Sequence, residues 1–93
     1  MNVEQITVND LRPEVADFAI EMERTLRQHD DTKGATGWKK EDNNWLFGLI
    51  DKKVLNYMKT PPQSLDSAQT IMIDIANIAM MVWDNMTSRD NKE

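Results

Sequence analysis

The 93-residue chain predicts an all-α fold, and three observations carry that expectation. It holds only three glycines and three prolines, too few for a turn-rich β architecture. Those breakers fall between segments whose apolar residues recur at three- and four-residue steps. The β-branched residues are too scattered to mark strands.

Helix one is expected from about Asp10 to Arg27. Thr7, Asn9 and Asp10 offer capping oxygens, and Pro13 suits a first turn, where backbone N–H groups have no partner anyway. Leu11, Val15, Phe18, Met22 and Leu26 share one face. Residues 28–40, "QHDDTKGATGWKK", break the pattern with Gly34 and Gly37 and read as a loop. Helix two runs from Asp42 or Asn43 to Met58, with Leu46, Ile50, Val54, Tyr57 and Met58 as its apolar arc and Trp45 and Leu49 widening it. "TPPQS", residues 60–64, stops it. Helix three, capped by Ser64 or Asp66, runs to about Met86. The organisation is therefore an N-terminal arm (1–9), one helical domain (10–86) and a polar tail (87–93).

Composition excludes several classes. A formal charge of −5 and a pI near 4.8 disfavour nucleic acid as the main partner. With no cysteine there is neither a disulfide framework nor a thiolate zinc site. "MNVEQITVND" has no basic region followed by an apolar one, so no signal peptide is expected. No apolar run reaches the length of a membrane span, and a soluble cytoplasmic protein is the expectation. One domain this short buries little more than about 60% of its unfolded surface, so a partner chain is a natural remedy.

Two positions on the helical wheels stand out. Helix three is apolar over a wide arc (Ala68, Ile71, Met72, Ile75, Ala76, Ile78, Ala79, Val82, Trp83 and Met86), which implies burial on several sides and a second copy of the chain. Its narrow remaining stripe holds Ser67, Thr70, Asp74, Asn77, Asp84 and Asn85, with Met81 among them. That stripe is either a solvated edge or part of a site. On helix two, Lys53 falls inside the apolar arc, with Asn56 one turn further on. Its ammonium either snorkels to water or meets an anion, since an unpaired buried ammonium is too costly.

Three blocks bear a family resemblance. "VADFAIEMERTLRQHD" (15–30), "KGATGWKKEDNNWLFGLIDKKVLNYM" (33–58) and "IDIANIAMMVWDN" (73–85) resemble, in order, the first helix, the Gly-Trp loop with second helix, and the D-V-A-N-F-A-M-M helix of the MazG-like all-α nucleoside triphosphate pyrophosphohydrolases. The chain looks like a short, phage-type member. The resemblance implies a three-helix chain assembling into a helical-bundle dimer or tetramer. It also implies Mg²⁺ chemistry on two acidic pairs, E-x-x-E and E-x-x-D, because Mg²⁺ takes hard oxygen ligands and bridges the triphosphate.

The chain departs from that pattern at its centre. The first pair falls on Lys53 and Asn56, the second on Ile71 and Asp74, so one carboxylate of four survives. A lysine at a former metal position neutralises phosphate without activating water. The expectation is a non-catalytic, nucleotide-binding protein with no catalytic residues, no metal ligands and no cofactor. Lys53, Asn56, Asp74 and Asn77 would line its pocket, and Lys33 and Trp38, with Lys39 and Lys40, would close over it. Trp38 would then stack on a base or simply pack the loop, and Lys53 and Asp74 would bind a ligand or pair with each other.

Its partner would be a nucleotide or cyclic nucleotide, sequestered as a defence signal in a host cytoplasm. Two alternatives stay open. One is a Mg²⁺-dependent pyrophosphohydrolase using Asp51, Asp74 and acids such as Asp66 or Asp84. The other is a protein that binds a host protein through its acidic surface. The lone histidine, His29, reads as a surface residue at a helix C-terminus.

Overall fold

A computed structural model of the chain describes residues 5–33 and 37–92, with the side chains of 31–33 and 88–92 outside the description. Its three α-helices are α1 (Pro13–Lys33), α2 (Asn43–Lys59) and α3 (Leu65–Lys92), with no strand among the described residues. The all-α expectation is met.

Each start follows from local chemistry. Before α1, a 3₁₀ turn over Val8–Asp10 is closed by Asp10, whose carboxylate accepts from the Thr7 backbone N–H and hydroxyl at 3.0 Å each. Thr7 and Asp10 thus cap that turn rather than helix one, and α1 opens on Pro13, whose missing N–H costs nothing there. On α2 the Asp42 carboxylate accepts from the Trp45 N–H at 3.3 Å. On α3 it is Ser64, not Asp66, that caps: its Oγ accepts from the Ser67 N–H at 3.1 Å.

The ends differ from expectation. α1 continues six residues past Arg27, and the i, i+4 bond from Arg27 Nε to Glu23 at 2.9 Å supports its exposed face. The apolar signal stops at Leu26, but helical propensity does not: "RQHDDTK" contains no glycine or proline. Gly34 lies outside the described residues. Gly37 opens a second 3₁₀ turn, Gly37–Lys40, where a Cβ would meet nothing within 4 Å, so no unusual backbone angle is needed. α3 extends through Lys92 rather than ending near Met86.

α3 is the central element, packed on α2 along one side and on α1 along another. The apolar core is small: Leu46 of α2 against Ile78 and Val82 of α3, with Leu49, Ile50 and Met81 at its edge and Ile73 buried separately. Only the C-terminal half of the arc expected on α1 packs inward, because Val15 and Phe18 are exposed. Val54 and Met58 of α2 are exposed as well.

The rotation of α3 splits its polar stripe, leaving Ser67 and Thr70 as a solvated edge and turning the stripe inward from Asp74 onward. Asn77 and Asn85 are 4% and 5% exposed, and Asp74, Met81 and Asp84 are half-buried, whereas Met72, Ala79, Trp83 and Met86 face out. The sequence expectation about membrane length also needs correcting. By length and composition alone α3 is long and apolar enough to cross a membrane, with a mean hydropathy of 1.2 in an 18-residue window within Leu65–Thr87. In the fold its polar stripe is committed to α1, α2 and the 3₁₀ turn.

With so small a core, Leu46→Ala is expected to destabilise the fold by about 3 kcal/mol. Urea denaturation followed by circular dichroism at 222 nm measures the loss.

Candidate functional site

Two buried amides on α3 build the site. The Asn85 Nδ2 group donates to the Trp38 carbonyl at 3.2 Å and to Asn43 Oδ1 at 3.1 Å, tying the 3₁₀ turn and the start of α2 to α3. Eight residues earlier on α3, Asn77 Nδ2 donates to the Met22 carbonyl at 3.2 Å, tying α1 to the same helix. Asp84 completes the anchoring of the turn. It accepts from Trp38 Nε1 at 3.4 Å and pairs with Lys39 at 3.4 Å, while the Lys39 ammonium lies 6.0 Å from the centre of the Trp38 ring.

Between these ties α1, α2, α3 and the turn line an open cavity of about 690 Å³. That volume is in the range of small-molecule sites, roughly 300–1,000 Å³. Its apolar wall is Leu26, Leu46, Leu49, Ile78 and Met81, and Trp38 and Trp45 supply two aromatic faces. Its polar groups are Lys53, Asp74, Asn77, Thr25, His29, Asp30 and Glu41. A smaller groove of about 190 Å³ adjoins it, lined by Lys53, Asn56, Tyr57, Thr60 and Ile71. Lys53 belongs to both.

Four of the six residues expected from sequence, Lys53, Asp74, Asn77 and Trp38, therefore meet at one cavity. Asn56 lines the adjoining groove instead, one turn beyond Lys53 on α2. Lys33 ends α1, and its side chain lies outside the described ones. Lys40 is exposed and Lys39 is held by Asp84. Trp38 both anchors the turn and walls the cavity, so the two readings of it are compatible.

Lys53 Nζ lies 3.7 Å from Asp74 Oδ2, with the two side chains 37% and 30% exposed. A pair that long and that wet contributes only about 0–1 kcal/mol, so either group is cheaply recruited by a ligand. Asn77 is different. Its amide is oriented by the Met22 carbonyl, and its Oδ1 is buried without a hydrogen-bond partner among the described residues. An orphaned buried acceptor costs about 1–3 kcal/mol unless an occupant of the cavity that Asn77 lines donates to it.

Thr25, His29, Asp30, Glu41 and Trp45 were not anticipated at the site. His29 is exposed, as expected of a surface residue, and borders the cavity four residues before α1 ends. The signal was present: Thr25 and His29 continue the i, i+3, i+4 series of Met22 and Leu26. Among the carboxylates of the hydrolase alternative, Asp51 and Asp66 are exposed and Asp84 is engaged by the turn. No group of three or more His, Cys, Asp or Glu side chains is placed to hold a metal ion among the described residues.

Comparison of the chain with protein-family models, with curated proteins and with solved structures gives no match.

Because the Lys53–Asp74 pair is long and half-exposed, whereas Asn77 holds α1 on α3, their apolar replacements are expected to differ from each other. Lys53→Met should change stability by less than about 1 kcal/mol. Asn77→Leu should lower it by about 1 kcal/mol, since the bond that ties α1 to α3 through the Met22 carbonyl is lost. Urea midpoints at constant slope read both.

Proposed function

We propose that the chain is a non-catalytic nucleotide-binding protein, with the base in the larger cavity and the phosphates in the adjoining groove. The observation that carries this reading is the position of Lys53 at the junction of two depressions of opposite character.

The larger cavity carries Asp30, Glu41 and Asp74 against the one lysine, which repels phosphate. Its aromatic faces and acceptors suit a base instead. Stacking on Trp38 or Trp45 is worth about 1–3 kcal/mol. Carboxylates and the orphaned Asn77 Oδ1 accept from amino, ring N–H or ribose hydroxyl groups. The groove has no carboxylate in its lining. Lys53, the Asn56 amide and the Tyr57 and Thr60 hydroxyls are donors, and all are neutral or cationic. A phosphate carries more charge than the Asp74 carboxylate, so it draws the Lys53 ammonium out of its weak pair and into the groove. The resemblance of three blocks to MazG-like nucleotide hydrolases supports the same ligand class. The replacement of three acids by Lys53, Asn56 and Ile71 supports binding without turnover. Retention of an intact nucleotide is what sequestration requires.

Calorimetric titration with a nucleoside triphosphate, the matching nucleoside and inorganic triphosphate tests the reading. The nucleotide should bind more tightly than either fragment. Lys53→Ala should weaken nucleotide binding about tenfold, close to 1.4 kcal/mol, and leave the nucleoside unchanged. Absence of heat with every ligand overturns the proposal. Pyrophosphate release in Mg²⁺ that is lost in Asp74→Ala overturns its non-catalytic part.

A further inference from the structure

The groove and the cavity form one track along α3, and the helix supplies its scale. Ile71 lines the groove, and Asp74, Asn77 and Met81 line the cavity. The far end is marked by Trp38, which its indole N–H and its carbonyl hold at the level of Asp84 and Asn85. α2 runs alongside in the opposite sense. Its Asn43 meets Asn85, its Leu46 packs with Ile78 and Val82, and its Lys53 meets Asp74. The order of levels is therefore the same on both walls. From Ile71 to Asp74, and again from Asp74 to Asn77, the helix rises about 4.5 Å. That step is comparable to the spacing of phosphate, sugar and base within one nucleotide. With the phosphates in the groove at the level of Ile71 and the base toward Trp38, the sugar falls at the level of Asp74.

Asp74 suits a ribose. Its side chain is 30% exposed and lines the cavity. A carboxylate accepts at about four lone-pair sites, and Lys53, 3.7 Å away, fills at most one of them. The 2′- and 3′-hydroxyls of a ribose stand side by side, and a carboxylate takes such a pair in a fork of charge-assisted bonds. A pair of hydroxyls needs neither a metal ion nor a second acid.

Asn77 is an independent sign that an occupant rich in donors belongs here. Its side chain is 4% exposed, and its Nδ2 group is committed to the Met22 carbonyl. Its Oδ1 is buried and has no hydrogen-bond partner among the described residues. The amide cannot turn over to relieve this, because Oδ1 would then face the Met22 carbonyl, lone pair against lone pair. Oδ1 is therefore a fixed acceptor, one level beyond Asp74 and on the side of the base.

We infer that the site takes ribonucleotides in preference to 2′-deoxyribonucleotides, with Asp74 holding the sugar hydroxyls and Asn77 Oδ1 accepting an N–H of the base. The inference rests on the nucleotide reading above and adds to it the choice of sugar. A 2′-deoxy sugar offers the 3′-hydroxyl alone, so one arm of the fork on Asp74 stays unmade.

Calorimetric titration of the full chain with the four ribonucleoside triphosphates and their 2′-deoxy counterparts tests the inference. In each pair that binds, the ribonucleotide should bind about tenfold more tightly, the effect of one charge-assisted hydrogen bond. Asp74→Ala should bring the two members of a pair to equal affinity. It should do so by weakening the ribonucleotide alone. The deoxynucleotide should bind at least as tightly as before, because Lys53 is then released to the phosphates. Asn77→Leu should weaken both members alike and leave their ratio unchanged. Each reading is a ratio within one folded variant, so a general loss of stability does not imitate it. Equal affinity of the unaltered chain for ribo- and deoxynucleotides, or a preference that survives Asp74→Ala, would overturn the inference and leave the nucleotide reading standing. Absence of heat with all eight ligands would overturn both.

Discussion

Everything else in this structure depends on how α3 is rotated, and two buried amides set that rotation. Asn85 holds the Trp38 carbonyl and Asn43, and Asn77 holds the Met22 carbonyl. They lie eight residues apart on one helix, so both bonds form only when the stripe carrying them faces the other elements. Hydrogen bonds to buried amides are strict about geometry, and an amide left unpaired in the interior costs about 1–3 kcal/mol. Apolar contacts are less selective. Ile78 and Val82 share the face that meets Leu46 while Ile73 is buried on another side, and a helix so broadly apolar could bury several alternative faces. The polar groups choose among them.

That choice has consequences on both sides of the helix. Inward, it brings Asp74 to 3.7 Å from Lys53 and places Asn77 and Met81 on a cavity. Outward, it leaves Met72, Ala79, Trp83 and Met86 in water and the core limited to four buried apolar residues. A fold that turns its polar stripe inward stabilises itself poorly as a monomer. The site and the exposed apolar side of α3 are therefore two results of one arrangement.

The electrostatics of the site follow from where α1 ends. With α1 running to Lys33, His29 and Asp30 are carried to the cavity wall, and Glu41 closes it from the segment before α2. Acidic groups gather around the larger cavity, while the groove beyond Lys53 has none. One lysine thus stands between an acceptor-rich chamber and a donor-rich one. Its pairing with Asp74 is long and half-exposed, and so holds it only weakly.

The helical class, the start of α2 at Asp42 or Asn43, its stop before Pro61 and a cap of α3 at Ser64 or Asp66 were legible in the sequence, because capping and chain-breaking act over a few residues, and the structure chose Asn43 and Ser64. So was the oddity of Lys53, Asp74 and Asn77, since each interrupts an apolar period. The C-terminal end of α1 was not, because "RQHDDTK" lacks both an apolar period and a breaker. Helix there is supported by propensity and by packing of the residues before it. The wheel of α3 misled for a related reason. Hydrophobicity alone points the polar stripe at water, and only the amide partners, 42 to 55 residues away in the chain, turn it inward. The sequence by itself determined which segments are helical and which residues break their patterns, since those properties are local. The tertiary structure alone decided which face of α3 is inside, because that depends on carbonyls and amides contributed by other helices.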